Sequence, residues 1–262
     1  MAWCFLYLLL YLAPAPDVVI AELTPATNQA FDEYVRAAEV RINQRAVSAQ
    51  FLWLDGVRDG RKKLAKGEVL AEPLVGEGDI GVDGGLIHDW VGAVFIPSVT
   101  LDQVLQGVED YDRAKVVYKP EVVDSKLRSR NGDDFQVYMR LKKSKAGVTA
   151  VLNTEHEVHY QRISETRWVS RSRTTRVAEL MNPGKADERE RALGKDHGFL
   201  WRLNSYWRFE QRDGGVYAEC EAISLSRTVP TGLGWLINPI IRSLPKDSLS
   251  NTLRCARDSF KK

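Results

Sequence analysis

The sequence predicts an α+β fold: a curved antiparallel sheet closed over a long C-terminal helix, with an added N-terminal helix. Three observations predict it. From residue 86 to about 227 the chain reads as strands with few interruptions. Leu249, Leu253, Ala256 and Phe260 then form a stripe at helical spacing, so the last helix has one side to bury. Phe31, Tyr34, Val35, Ala38 and Ile42 repeat in the same way near the start. The 262 residues are 44% hydrophobic and 27% charged, which excludes collagen-like, disordered and polytopic membrane classes. Lys+Arg is 37 and Asp+Glu is 35, a balance that gives no support to a nucleic-acid partner.

The first element is not part of the fold. Residues 2–13 are almost wholly apolar, and Pro14, Pro16 and Asp17 break the run. A bilayer span needs roughly 20 residues, so this reads as the core of a secretory signal peptide. Cleavage after Ala21 is expected, because Val19-Ile20-Ala21 is followed by Glu22 and not by proline. The basic residues expected ahead of the apolar run are missing, the first being Arg36. A misplaced start codon would account for that, and a buried or membrane-skimming helix is the alternative. The protein is accordingly expected to be periplasmic or secreted. There Cys220 and Cys255 are either one disulfide or two small buried side chains.

Residues 22–75 read as a helical extension and linker, and 76–262 as the main domain. Thr24-Pro25 is an N-cap followed by proline at the first helical position, predicting a helix over about 25–46. Its Arg36, Glu39 and Arg41 are expected to face solvent, and Arg61-Lys62-Lys63 to sit in a surface loop. Gly76-x-Gly78-x-x-Gly81 matches a dinucleotide fingerprint in letters only. Val82-Asp83-Gly84-Gly85 follows where a helix should begin, so a flexible connector is expected. Leu86–Pro97 is a strand containing Trp90. Thr100 and Gln103 form a capping box for a short helix carrying Leu101, Val104, Leu105 and Val108.

Three hairpins follow, their registers chosen to keep one face apolar. A three-residue loop at Asn131-Gly132 sets Leu127 opposite Phe135 and Val123 opposite Met139. A turn at Ser164–Thr166 pairs Glu157 with Arg173 and His159 with Arg171. The opposite face then carries Leu152, Thr154, His156, Val158, Tyr160, Trp168, Ser170, Ser172 and Thr174, a semi-polar mixture suited to a cavity wall. A two-residue turn at Asp213-Gly214 pairs Phe209 with Ala218, Trp207 with Cys220, Ser205 with Ala222 and Arg208 with Glu219. A short apolar helix over Gly232–Ser243 and a separate helix starting at Pro245 complete the chain.

This order of elements resembles the helix-grip fold of the START-like (SRPBCC) superfamily over roughly residues 84–262. The resemblance rests on Thr100–Tyr111 leading into Val116–Asp124, on the strand-turn-strand Trp207–Tyr217, and on the Arg227-Thr228-Val229-Pro230 exit into the closing helices. It implies a cavity between sheet and last helix that holds a lipid or polyketide-like molecule. Trp90, Tyr138, His156, Tyr160, Trp168, Trp207 and Leu253 are the expected cavity residues, with Trp201 a further aromatic of the wall.

No catalytic signature accompanies it. His156 and His159 should point to opposite faces of a strand, and the acidic residues near His159 share their face with arginines, so no metal site is expected. No Gly-x-Ser-x-Gly elbow is present. No cofactor is expected. Three readings stay open: carriage of a hydrophobic small molecule without chemistry, a cyclase- or hydrolase-type enzyme using His156 or Asp89 as acid or base, and an envelope module. The last would contact a membrane surface or a protein through Trp235, Leu236 and Ile237.

Overall fold

A computed structural model describes residues 20–145, 148–228 and 234–261. The predicted signal segment lies outside them up to residue 19. The side chains of Trp235, Leu236 and Ile237 are likewise outside what is described.

Chain order is β1 (Ala21–Glu22), α1 (Pro25–Ala46), a 3-10 turn at Trp53–Gly56, α2 (Gly60–Ala65), β2 (Leu70–Pro73), β3 (Asp79–Val82) and β4 (Gly85–Pro97). Then come α3 (Leu101–Glu109), α4 (Ala114–Val117), β5 (Val122–Asn131), β6 (Asp134–Lys145), β7 (Val148–Ser164) and β8 (Arg167–Met181). The short β9 (Arg189–Glu190) and β10 (Lys195–Asp196), the long β11 (Arg202–Arg212) and β12 (Gly215–Arg227), and α5 (Gly234–Asp258) complete it. The main antiparallel sheet runs β2-β4-β12-β11-β8-β7-β6-β5, with β3 also on β4 and β9 on β8. This is the helix-grip architecture, with an added helix behind the sheet.

The sheet has two covered faces. On one, Leu249 and Leu253 of α5 pack with Trp90, Val94, Phe209 and Cys220. Approach is closest at Gly92, where a Cβ would sit 2.7 Å from Leu253 Cδ1 and from the Leu70 carbonyl oxygen. On the other, Phe31, Val35, Ala38 and Ile42 of α1 pack with Ile87, Ile223 and Leu225. Segment 22–75 is thus built into the molecule, and its β2 is an edge strand of the main sheet.

Two hairpins have the predicted register: Arg208 faces Glu219 and Trp207 faces Cys220, while Glu157 faces Arg173 and His159 faces Arg171. The Asn131-Gly132 hairpin differs. Asn131 pairs with Asp134, and β-bulges shift the register, so Leu127 meets Val137 and Ser125 meets Met139. The inward face of β6 stays apolar because the extra bulge residue absorbs the change of loop length. At the C-terminus one helix replaces the predicted two, with Pro245 inside α5. Proline lacks a donor and costs an interior helical bond. The buried stripe from Leu249 to Ala256 anchors the helix just beyond it. Arg61, Lys62 and Lys63 lie in α2 and not in a loop, with Arg61 paired to Asp55 and set over the Tyr217 ring.

The α1 charges are the main correction. Arg41 donates to both Glu221 carboxylate oxygens at 3.0 and 2.8 Å and lies 3.4 Å from Asp89 Oδ2. Tyr206 donates its hydroxyl to Glu39 at 2.9 Å, and Tyr34 donates to Asp89 at 2.7 Å. Beside them Arg208 and Glu219 pair at 3.2 Å, both buried. Arg208 also donates to the Ile42 carbonyl, and the Leu54 amide donates to Glu219. The strands carry charge on this face, so α1 meets it with charge.

Burial and the neighbouring Glu221 raise the Asp89 carboxyl to about 7, although Tyr34 and Arg41 oppose them. An unfolded aspartate titrates near ~3.9. The folded protein therefore holds the extra proton between these values. Stability from this group is complete below the lower value and is lost as pH rises through the upper. Thermal melting should accordingly show Tm falling from about pH 5 to 8, with the slope reduced in Asp89→Asn. An identical slope in both proteins would rule this out.

Candidate ligand cavity

A cavity of about 330 Å³ opens between the inner face of the sheet, the α3–α4 segment and the middle of α5, from Leu244 to Thr252. Strand alternation decides which side chains reach it. On β11 and β12, Ser205, Trp207, Ala222 and Ser224 point inward, while Asn204, Tyr206, Arg208, Glu219 and Glu221 point to α1. The inward set keeps partial exposure and the outward set is buried. The charged face is sealed by a helix and the neutral face borders open space.

Apolar and aromatic side chains make most of the wall, among them Val108, Val158, Leu152, Phe209 and Leu249. Tyr111 and Tyr160 join hydroxyls at 2.9 Å, and Phe135 meets both rings edge-on at 5.6 and 5.3 Å. Burial raises both tyrosines well above the ordinary phenol range, so they stay neutral.

His156 is the central polar residue. Its Nε2 lies 2.8 Å from Thr154 Oγ1, and its Nδ1 lies 3.5 Å from Ser172 Oγ. Burial pushes its pKa down to about 4. The ring is therefore neutral near pH 7. It can orient a ligand by hydrogen bonds but is too weak a base to be well matched to proton abstraction there. A second histidine, His88, shares a 2.9 Å hydrogen bond with Ser226, and both line the cavity.

Of the expected cavity residues, the structure brings His156, Tyr160 and Trp207 to the wall. Four lie elsewhere. Trp90 faces inward but is buried beside α5, tight against the β3 connector: a Cβ on Gly78, whose φ is 103°, would sit 2.3 Å from its ring. Leu253 is spent on the approach to Gly92, and Trp168 packs against the same core. Tyr138 is on the outer face, donating to Asn153 at 2.9 Å, with Arg128 over its ring. Trp201 belongs to the α1 cluster. Asp89, the other acid–base candidate, faces α1 and not the cavity. Ser205, Ser224, Ser226 and His88 were not expected. Extending the correctly read Ser205–Ala222 pairing by two residues along β12 would have found Ser224.

Cys220 and Cys255 are free thiols. Among the described residues no cluster of three or more His, Cys, Asp or Glu could hold a metal. The glycine-rich stretch forms β3 and its turns, with no helix after it, so it has no phosphate-binding geometry.

No protein-family model matches the chain, and no curated protein matches it. Among solved structures it is similar to the STAR-related lipid transfer protein (fragment 25–204) from Xanthomonas axonopodis, at 15% identity and TM-score 0.47. That match covers 71% of this chain and 99% of the other. It is similar to the lipid transfer and protein localization domain of human StarD13, at 12% identity and TM-score 0.45, covering 80% and 99%. It is also similar to the Zhui aromatase/cyclase from Streptomyces sp. R1128, at 9% identity and TM-score 0.44, covering 66% and 93%.

The low His156 value gives an expected outcome. Its ring nitrogens should keep neutral-imidazole NMR shifts from about pH 8 down to 5. A midpoint above about 6 would contradict the burial account.

Proposed function

We propose that the protein binds and carries a hydrophobic small molecule, lipid or polyketide-like, in the cavity between sheet and α5, without covalent chemistry. The observation that carries this reading is the cavity of about 330 Å³, whose wall is mainly apolar in surface. Pockets of about 300–1,000 Å³ with that lining suit small-molecule ligands. Removing apolar surface from water contributes about 25 cal/mol per Å². The second reading, an enzyme on the same scaffold, is favoured by one observation, the presence of His156 on the wall. Its depressed pKa supports an orienting role over a general base.

A neutral apolar dye, N-phenyl-1-naphthylamine, tests the reading by fluorescence titration. The expected result is saturable binding that Ala222→Trp weakens by about tenfold or more, since Ala222 lines the cavity and the larger ring would project into it. Unchanged binding in that variant, with folding intact, would place the dye elsewhere and overturn the reading.

The working location proposed is periplasmic or extracellular, after cleavage behind Ala21. That cut would fall inside β1 and remove the Ala21–Asp196 pairing, while Glu22 stays opposite Lys195 and Leu23 keeps its 2.7 Å amide bond to the Gly194 carbonyl. Among the described residues no helix is long and apolar enough to cross a membrane. Intact mass of the exported protein should correspond to a chain starting at Glu22; retention of residues 1–21 would refute the cleavage.

A further inference from the structure

Resting on that binding reading, we infer that the cavity selects uncharged ligands bearing hydroxyl or carbonyl oxygen over ligands with a charged head. The first observation is a hydroxyl belt. Ser172 on β8 lies directly opposite Ser205 on β11, and Ser205 is opposite Ala222 on β12. Ser170 and Ser224 lie two residues along their strands on the same inward face, and all four serines line the cavity. His156 joins the belt through Ser172 at 3.5 Å.

The second observation is that the belt is under-used by the protein. Among the described residues, the hydroxyls of Ser170, Ser205 and Ser224 make no hydrogen bond within the chain. A serine hydroxyl both donates and accepts, so it serves alcohol and carbonyl oxygen alike. Polar groups enclosed without a protein partner call for one supplied from outside.

The third observation is charge. Among the described residues, the cavity lining carries Asp110, Glu121 and Lys143 besides histidine, tyrosine and the Cys220 thiol, which burial keeps neutral. Lys143 is already paired with Glu121. No arginine is present among the described lining residues. A carboxylate or phosphate carried to the belt would leave water without a counter-ion, which is costly. An ammonium would reach the neutral belt with no carboxylate among its members. A neutral oxygen loses its water contacts too, but three free hydroxyls replace them.

Displacement of N-phenyl-1-naphthylamine from the full chain tests this with three probes of one length: dodecan-1-ol, dodecanoate and dodecylamine, near ~pH 8. The alcohol should compete about tenfold better than either charged probe. Ser205→Ala/Ser224→Ala should weaken the alcohol by about tenfold more than it weakens the dye. Ser205→Ala alone gives a smaller loss in the same direction and stands in should the double variant fail to fold. Equal or better competition by dodecanoate or dodecylamine overturns the inference and leaves the binding function standing. So does an unchanged alcohol affinity in the serine variants. A dye that does not bind at all removes the binding function, and the inference with it.

Discussion

The structure depends on charge buried between α1 and the outer face of the sheet. Arg208 and Glu219 face each other across β11 and β12, and Glu221 and Asp89 lie beside them, all shielded from solvent. An unanswered charge in such a place is expensive, and removing one partner of a buried pair typically costs about 3–5 kcal/mol. Strand pairing alone does not answer all of it. Arg41, Glu39 and Tyr34 reach in from α1, and the backbone at Ile42 and Leu54 supplies further bonds. The helix is held in place by what it neutralises as well as by its apolar stripe.

This arrangement frees the inner face. With one side of β11 and β12 committed to charge and closed by α1, the other can be neutral, shallow in side-chain size and open. Ser205, Ala222 and Ser224 are small where a packed core would carry Leu or Ile. α5 closes down hard at Gly92 through Leu253, while its middle stands over the cavity at Pro245, Ser248 and Leu249. The sheet is thus pinned towards the C-terminal end of the helix and hollow beneath its middle.

Much of this was legible in sequence. Alternation of period two gave the registers at Asp213-Gly214 and Ser164–Thr166, because a slip would expose one face and bury the other. It also marked the β7–β8 face as a cavity wall, through its mixture of Val, Ser and His. The failures have physical causes. Periodicity shows which side of a helix is polar but not what that side meets, so Glu39 and Arg41 read as solvated. Bulges are invisible to alternation, which misplaced the Asn131 hairpin. Aromatic residues were assigned to the cavity by type. Tyr138 is on the outer face by simple alternation with Val137, and Trp90 is inward but consumed by packing.

The double use of β12 bears on how such a chain can change over generations. Glu219, Glu221 and Ile223 serve one face, while Cys220, Ala222 and Ser224 serve the other, in strict alternation. Substitutions at single positions alter one function and spare the other. Loss or gain of a single residue within the strand is a different event. It would exchange the two sets past that point, turning carboxylates toward the ligand space and serines toward Arg41 and Arg208. A side-chain change along β12 therefore acts on one face at a time, whereas a change in its length acts on both.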